Sequence, residues 1–251
     1  MSDQVDTHQD VGYYVYGIVP SSLETPDLRG LDDVPVELVA LDDLAAVVSR
    51  LALERPPGRK TELVAHSRVV DALAEAGAVV PVQFGSVLEH DSAAVEELLA
   101  EQGEAARATL QRVAGKVQMN LRVSYVEERV LEEVVRENPR VAELRRRTRG
   151  LPEGAVHPDL VELGEQVSAA IAAKRAEDAD TVYEAVGPHA VEVAERPGGG
   201  VDHVIDLALL VPADGTGALE QTLEDYAEQT HERMRWRLVG PVAPYDFAGE
   251  V

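Results

Sequence analysis

The stretch from Val117 to Tyr125 constrains this chain more than any other. Val117, Met119, Leu121, Val123 and Tyr125 alternate with Gln118, Asn120, Arg122 and Ser124. A period of two held over this length specifies a β-strand with one buried and one polar face. Gly115 breaks the pattern before it. The expected elements on either side form two series, so this strand is read as the first of a second domain. The expected class is α+β with two domains: an N-terminal mixed α/β sheet domain over 12–115 and a C-terminal ferredoxin-like domain over 116–240. A disordered N-terminus (1–11) and an extended C-terminal tail (241–251) complete the reading.

In the first series, Tyr13 to Val19 is apolar on both faces and reads as a central strand. Val36 to Leu41 and Leu44 to Ser49, separated by Asp42 and Asp43, read as a hairpin. Leu63, His66, Val70 and Leu73 lie at helical spacing, closed by Gly77. Ala78 to Leu88 is rich in β-formers, but Pro81 confines it to a sheet edge or a bulge. Val95, Leu98, Leu99, Ala106, Leu110 and Val113 then make a second helical stripe.

The second series runs strand, helices, strand, strand, helix, strand. That is the βαββαβ order of a ferredoxin-like arrangement, with extra helices in its first crossover. Pro139 is expected to stop the first of those helices. Beyond it Arg140, Arg145, Arg146, Arg147 and Arg149 crowd five guanidinium groups into ten residues. Two readings stand for them: a helix face paired with the chain's own acids, or a docking site for an acidic partner or another copy. In the tail, Pro241 and Pro244 forbid a ladder, so it is expected to lie extended on the protein's own surface. Pro244, Tyr245 and Phe247 are its candidate anchors.

The residues offer little chemistry. There is no cysteine, so no disulfide, zinc ribbon or thiol nucleophile is possible. The seven histidines include no pair three to five residues apart, as a helical zinc site would need. No nucleophile turn of the G-x-S-x-G kind occurs. Gly198–Gly199–Gly200 lacks the lysine of a phosphate-binding loop and reads as a hairpin turn. His66 reads as a hydrogen-bonded helix histidine. Asp42–Asp43 reads as solvated surface. The expected sites are therefore catalytic none, cofactor none and metal none. The net charge of −23 repels nucleic acid and anionic membranes. The acidic, polar N-terminus is unlike a signal peptide, and a cytoplasmic location is expected.

Two segments carry a family signature. They are Gly77–Ala78–Val79–Val80–Pro81–Val82–Gln83–Phe84–Gly85–Ser86–Val87 and Leu238–Val239–Gly240–Pro241–Val242–Ala243–Pro244–Tyr245–Asp246–Phe247. Tyr14 to Val19, the His66 helix, Leu163 to Val167 and Ile205 to Val211 fall in matching order. Together they resemble the gas vesicle protein F/L family over residues 12 to 249. Two departures stand out. Gln83 occupies a place usually basic in the family, and Ala243 one that is usually proline.

The resemblance implies a non-enzymatic accessory protein of the gas vesicle, a protein-walled, gas-filled flotation organelle. It implies an N-terminal α+β domain and a ferredoxin-like C-terminal one. Its partners would be the small hydrophobic major shell protein and other accessory proteins. Its role would lie in assembly, with some members retained as minor components on the gas-facing side. Candidate partner-binding residues are Pro81, Gln83 and Phe84 at the interrupted strand, and Arg145 and Arg146 in the arginine cluster. Phe84 has a second reading as plain core. The competing functions are a small-molecule-binding or enzymatic ferredoxin-like protein, or a general scaffold.

Overall fold

The computed structural model describes residues 11–52, 55–88, 92–152 and 157–249. The expectation of disorder over residues 1–10 lies outside these residues, while Val11 opens the first strand. Internal contacts divide the chain into two compact units. One holds the chain through Gln118 together with Pro241 onward, and the other is Met119–Gly240.

In the first unit, β1 (Val11–Pro20) runs between β3 (Leu44–Ala52) on one side and β4 (Val80–Pro81) and β5 (Val87–Leu88) on the other. β2 (Glu37–Leu41) pairs with β3 as a hairpin, in which Asp42 takes a φ of 55°. A short polar side chain tolerates that left-handed turn. The neighbouring Asp43 is held by the Arg107 guanidinium at 2.6–3.0 Å, so this acidic pair is partly clamped. α1 (Lys60–Ala76) lays Val69, Val70 and Leu73 against Tyr14, Tyr16 and Val19. α2 (Ser92–Val113) lays Val95, Leu99 and Ala106 against Val15, Ile18 and Val48. The sheet is thus covered by one helix on each face. This explains why β1 is apolar throughout rather than alternating.

Gly30 shows how tightly the first layer closes. The Tyr16 hydroxyl accepts from Leu31 N at 2.9 Å and lies 3.1 Å from Ser49 Oγ. A Cβ on Gly30 would sit 1.8 Å from that hydroxyl. Tyr16 is fully buried and cannot swing away. Gly30→Ala is therefore expected to cost about 2–3 kcal/mol by overpacking. Gly58→Ala, whose Cβ would meet nothing within 4 Å, serves as the control. Urea unfolding of the two variants checks this.

In the second unit the strand order is β7 (Glu192–Glu195), β8 (His203–Pro212), β6 (Lys116–Tyr125), β9 (Met234–Val242). α3 (Glu127–Glu137), α4 (Pro139–Thr148) and α5 (Pro158–Val186) fill the connection from β6 to β7, and α6 (Thr216–Thr230) joins β8 to β9. Pro139 ends one helix and also opens the next. It sits in the first turn of α4, where its missing N–H costs nothing. Asn138 Oδ1 caps that helix by accepting from Arg140 N at 3.0 Å and Val141 N at 3.2 Å. The arginine cluster therefore lies largely on a helix.

β6 buries Met119, Leu121, Val123 and Tyr125 as its alternation requires, while Val117 at its start is only half-buried. Gln118, on the polar phase of the pattern, is 1% exposed.

The tail departs from the expected extended surface segment. β9 continues through Pro241 to Val242, which an edge strand permits because no ladder donor is needed on its open side. The chain then makes a turn of 3₁₀ helix over Tyr245–Phe247 and buries Ala243, Phe247 and Ala248. An extended tail would leave Phe247 wet, and the turn removes that cost.

Candidate functional site

The segment singled out in the first unit is a broken edge. β4 pairs Pro81 with Gly17 and β5 pairs Val87 with Tyr14, both against β1. Between them the chain leaves the sheet in a turn through Gln83, Phe84 and Gly85, with Gly85 at φ 98°. Pro81 is buried, Gln83 is exposed and Phe84 is half-buried.

Phe84 joins an aromatic cluster. Its ring centroid lies 5.7 Å from His66 and 6.3 Å from Tyr14. The cluster is threaded by hydrogen bonds. The Tyr14 hydroxyl accepts from Gly85 N at 3.1 Å and lies 2.9 Å from His66 Nδ1. His66 Nε2 lies 2.9 Å from the Tyr245 hydroxyl. Tail and core strand are thus joined through one imidazole, which is 1% exposed. Burial pushes the His66 pKa down to about 4 and the Tyr14 pKa up to about 12. With both ring nitrogens engaged by phenols, the imidazole acts as a clamp between elements.

The other tail anchors are equally specific. Gln118 donates to the Asp246 carboxylate at 2.6 Å and accepts from Asp246 N at 3.1 Å. Asp71 of α1 accepts from Ala243 N at 3.1 Å. Pro244 leads into the turn, and Phe247 is buried beneath it. At the start of α1, Glu62 accepts from Gly58 N and Arg59 N, each at 2.8 Å, and pairs with Arg55. Those donors, the Arg55 guanidinium first, hold its pKa to about 2.

The second unit carries an open apolar groove of 410 Å³ between α3, α4 and α5. Leu131, Val135, Val141, Leu163 and Val167 line it, with Glu128, Glu132 and Arg145 at its rim. Of these, Val141 is fully buried and the other four apolar side chains are only partly covered. The arginines of the cluster separate by role. Arg140 is bound by Glu162 and Glu143, and Arg147 by Asp159 at 2.8 Å. Arg145, Arg146 and Arg149 are exposed and have no ion-pair partner among the described residues. Arg145 edges the groove, while Arg146 does not line it.

Also in this unit, Arg233 is held by Asp178 at 2.6 Å and Glu133 at 2.9 Å, with its guanidinium 5.3 Å from the Tyr125 ring centroid. This network ties α3, α5 and the approach to β9, and it raises the Arg233 pKa. Among the described residues no group of three or more His, Asp or Glu could hold a metal ion. Among them, too, no helix is long and apolar enough to cross a membrane.

The family described as gas vesicle synthesis protein GvpL/GvpF matches residues 12–249. The chain belongs to this family. A gas vesicle protein F of a Streptomyces species is 32% identical over 238 residues, covering 93% of this chain and 98% of the relative. Gas vesicle protein L1 of Halobacterium salinarum is 28% identical over 260 residues, covering 96% and 91%. The crystal structure of GvpF from Anabaena shares the fold with a TM-score of 0.84 at 22% identity, covering 96% of this chain and 99% of that one. GvpF from Microcystis aeruginosa gives 0.79 at 22% identity, covering 94% and 98%. This GvpL/GvpF chain is therefore a gas vesicle protein of mixed α+β fold with two antiparallel sheets.

Several residues that matter were not visible in the sequence. Tyr14 looked like one more apolar strand residue. Gln118 looked like surface, and its partner lies 128 positions away. Leu131, Val135, Leu163 and Val167 lie at helical spacing, and nothing in such a stripe says that it stays partly uncovered.

Proposed function

We propose that this GvpL/GvpF protein is a non-enzymatic cytoplasmic accessory factor that binds the hydrophobic major shell protein and assists gas vesicle assembly. The observation that carries the reading is the groove of the second unit. A shell subunit that faces gas must present an apolar surface and aggregates when alone. An open groove walled by Leu131, Val135, Leu163 and Val167 can cover one apolar helix of such a subunit. Its rim carries Glu128 and Glu132 on α3 and Arg145 on α4, so an entering helix is oriented by charge. The strongly acidic remainder of the chain keeps the complex dispersed.

The ferredoxin-like description of the second unit belongs to this reading. Its element order and the strand order β7-β8-β6-β9 support it. The broken edge at Pro81, Gln83 and Phe84 is a second contact for the same partner, favoured by the exposure of Gln83 beside the edge strand β4.

Co-expression with the shell protein and affinity purification test both surfaces. Leu131→Asp with Val167→Asp is expected to cut recovery of the shell protein about tenfold or more, because a carboxylate would be desolvated at the contact. Arg145→Glu weakens recovery less. Unchanged recovery with the groove variants, shown to be folded by their melting curves, removes the groove. Unchanged recovery with Phe84→Ala removes the edge.

A further inference from the structure

β9 is the outer strand of the second sheet, with β6 on one side and, among the described residues, no strand on the other. Nine residues long, it carries two different surfaces on its two faces. On one, Trp236 and Leu238 join Leu121, Leu223 and Ala227 around a slot of 210 Å³, which Glu220 and Glu224 of α6 also line. Trp236 is fixed there by an indole hydrogen bond to Thr230 at 2.9 Å. On the other face, Arg237 and Val239 join Arg122, Asn120, Arg196 and Asp206 around a cleft of 200 Å³. Period two places Arg235 on the same side as Arg237.

Arg122, Arg235 and Arg237 are exposed, and none has an ion-pair partner among the described residues. In a chain with 46 acidic and 23 basic residues, three unpaired arginines on one sheet face are out of keeping with the rest of the surface. Natural edge strands use such charges to repel unwanted strands. Here the repulsion is selective, because arginines reject a basic strand and accept an acidic one.

We propose that β9 is a docking edge for an extended peptide segment in which apolar and acidic residues alternate. Such a segment adds to the sheet by main-chain hydrogen bonds along β9. Its apolar side chains enter the slot at Trp236 and Leu238, and its carboxylates meet Arg122 and Arg237. The proposal does not depend on the helical groove of α3, α4 and α5. That groove takes a helix, whereas this edge takes a strand.

Trp236 is the only tryptophan in the chain, so its emission reports occupancy of the slot. The probes are nine-residue peptides with capped ends, titrated into the full chain. One alternates valine with glutamate, one alternates valine with lysine, and one carries the valine–glutamate sequence with every second amide methylated. The valine–glutamate peptide is expected to bind saturably with a blue shift of Trp236, and more weakly as salt rises. Arg122→Glu with Arg237→Glu, both at exposed positions, is expected to weaken it about tenfold or more. The lysine peptide and the methylated peptide are expected not to bind. The groove variant Leu131→Asp with Val167→Asp is expected to bind the peptide as the parent does. No saturable binding of the valine–glutamate peptide overturns the proposal. So does binding that survives methylation, or binding indifferent to the two arginine reversals.

Discussion

Phe247→Ala is expected to lower the stability of the first unit by about 3–5 kcal/mol, the loss typical of a fully buried aromatic side chain. Phe247 is 1% exposed. A segment held only by surface contact would fray at little cost. The segment after β9 is held at four points: Ala243 N on Asp71, Tyr245 on His66, Asp246 on Gln118, and the ring of Phe247. Removing the chain from Pro244 onward is expected to cost more than the single substitution, because it leaves Gln118 buried without its carboxylate partner. Thermal unfolding followed by circular dichroism checks both variants. An unmoved melting point for the truncation would mean that the tail is a detached binding segment.

Acid is expected to weaken the first unit in two steps. The first belongs to His66, whose pKa falls from the ordinary 6.5 to about 4 on folding because burial disfavours the imidazolium. Between those values the unfolded chain binds a proton that the folded chain refuses, so stability falls as pH falls through this window. The full loss is about 3 kcal/mol, complete once pH reaches the folded value. The second step belongs to Glu62, whose pKa drops from 4.5 to about 2 on folding. Its stabilisation is present above 4.5 and drains away as pH falls towards 2. Urea unfolding followed from pH 7 down to pH 2 separates the two steps, the His66 step lying above about pH 4 and the Glu62 step reaching below it. His66→Gln keeps a donor and an acceptor for the two tyrosines but does not titrate. It should flatten the slope above pH 4.5, and an unchanged slope would contradict the role given to His66.

The parts of this fold that were legible are those written in local periodicity. The alternation of Val117 to Tyr125 placed β6. The doubly apolar Tyr13 to Val19 placed the central strand. What escaped depends on partners distant in sequence or on exposure. Prolines at 241 and 244 argued for an extended tail. On an open strand edge a proline costs little, and the burial of Phe247 outweighs the loss of a ladder. Pro139 argued for a stop and is equally a start, because the same missing N–H suits the first turn of α4. The arginine cluster was legible as a charge anomaly only. Its division into Arg140 and Arg147, which are paired, and Arg145, which edges a groove, depends on where α5 passes. The arginines of the second sheet were invisible as a group, because Arg122, Arg235 and Arg237 come from strands more than a hundred residues apart.

The most direct test of the account is amide hydrogen exchange of the whole protein with and without the major shell protein. Capture of a shell helix predicts slowed exchange concentrated in α3, in α4 near Arg145 and in the first half of α5. Unchanged exchange across these three helices, under conditions where the shell protein is bound, would contradict it.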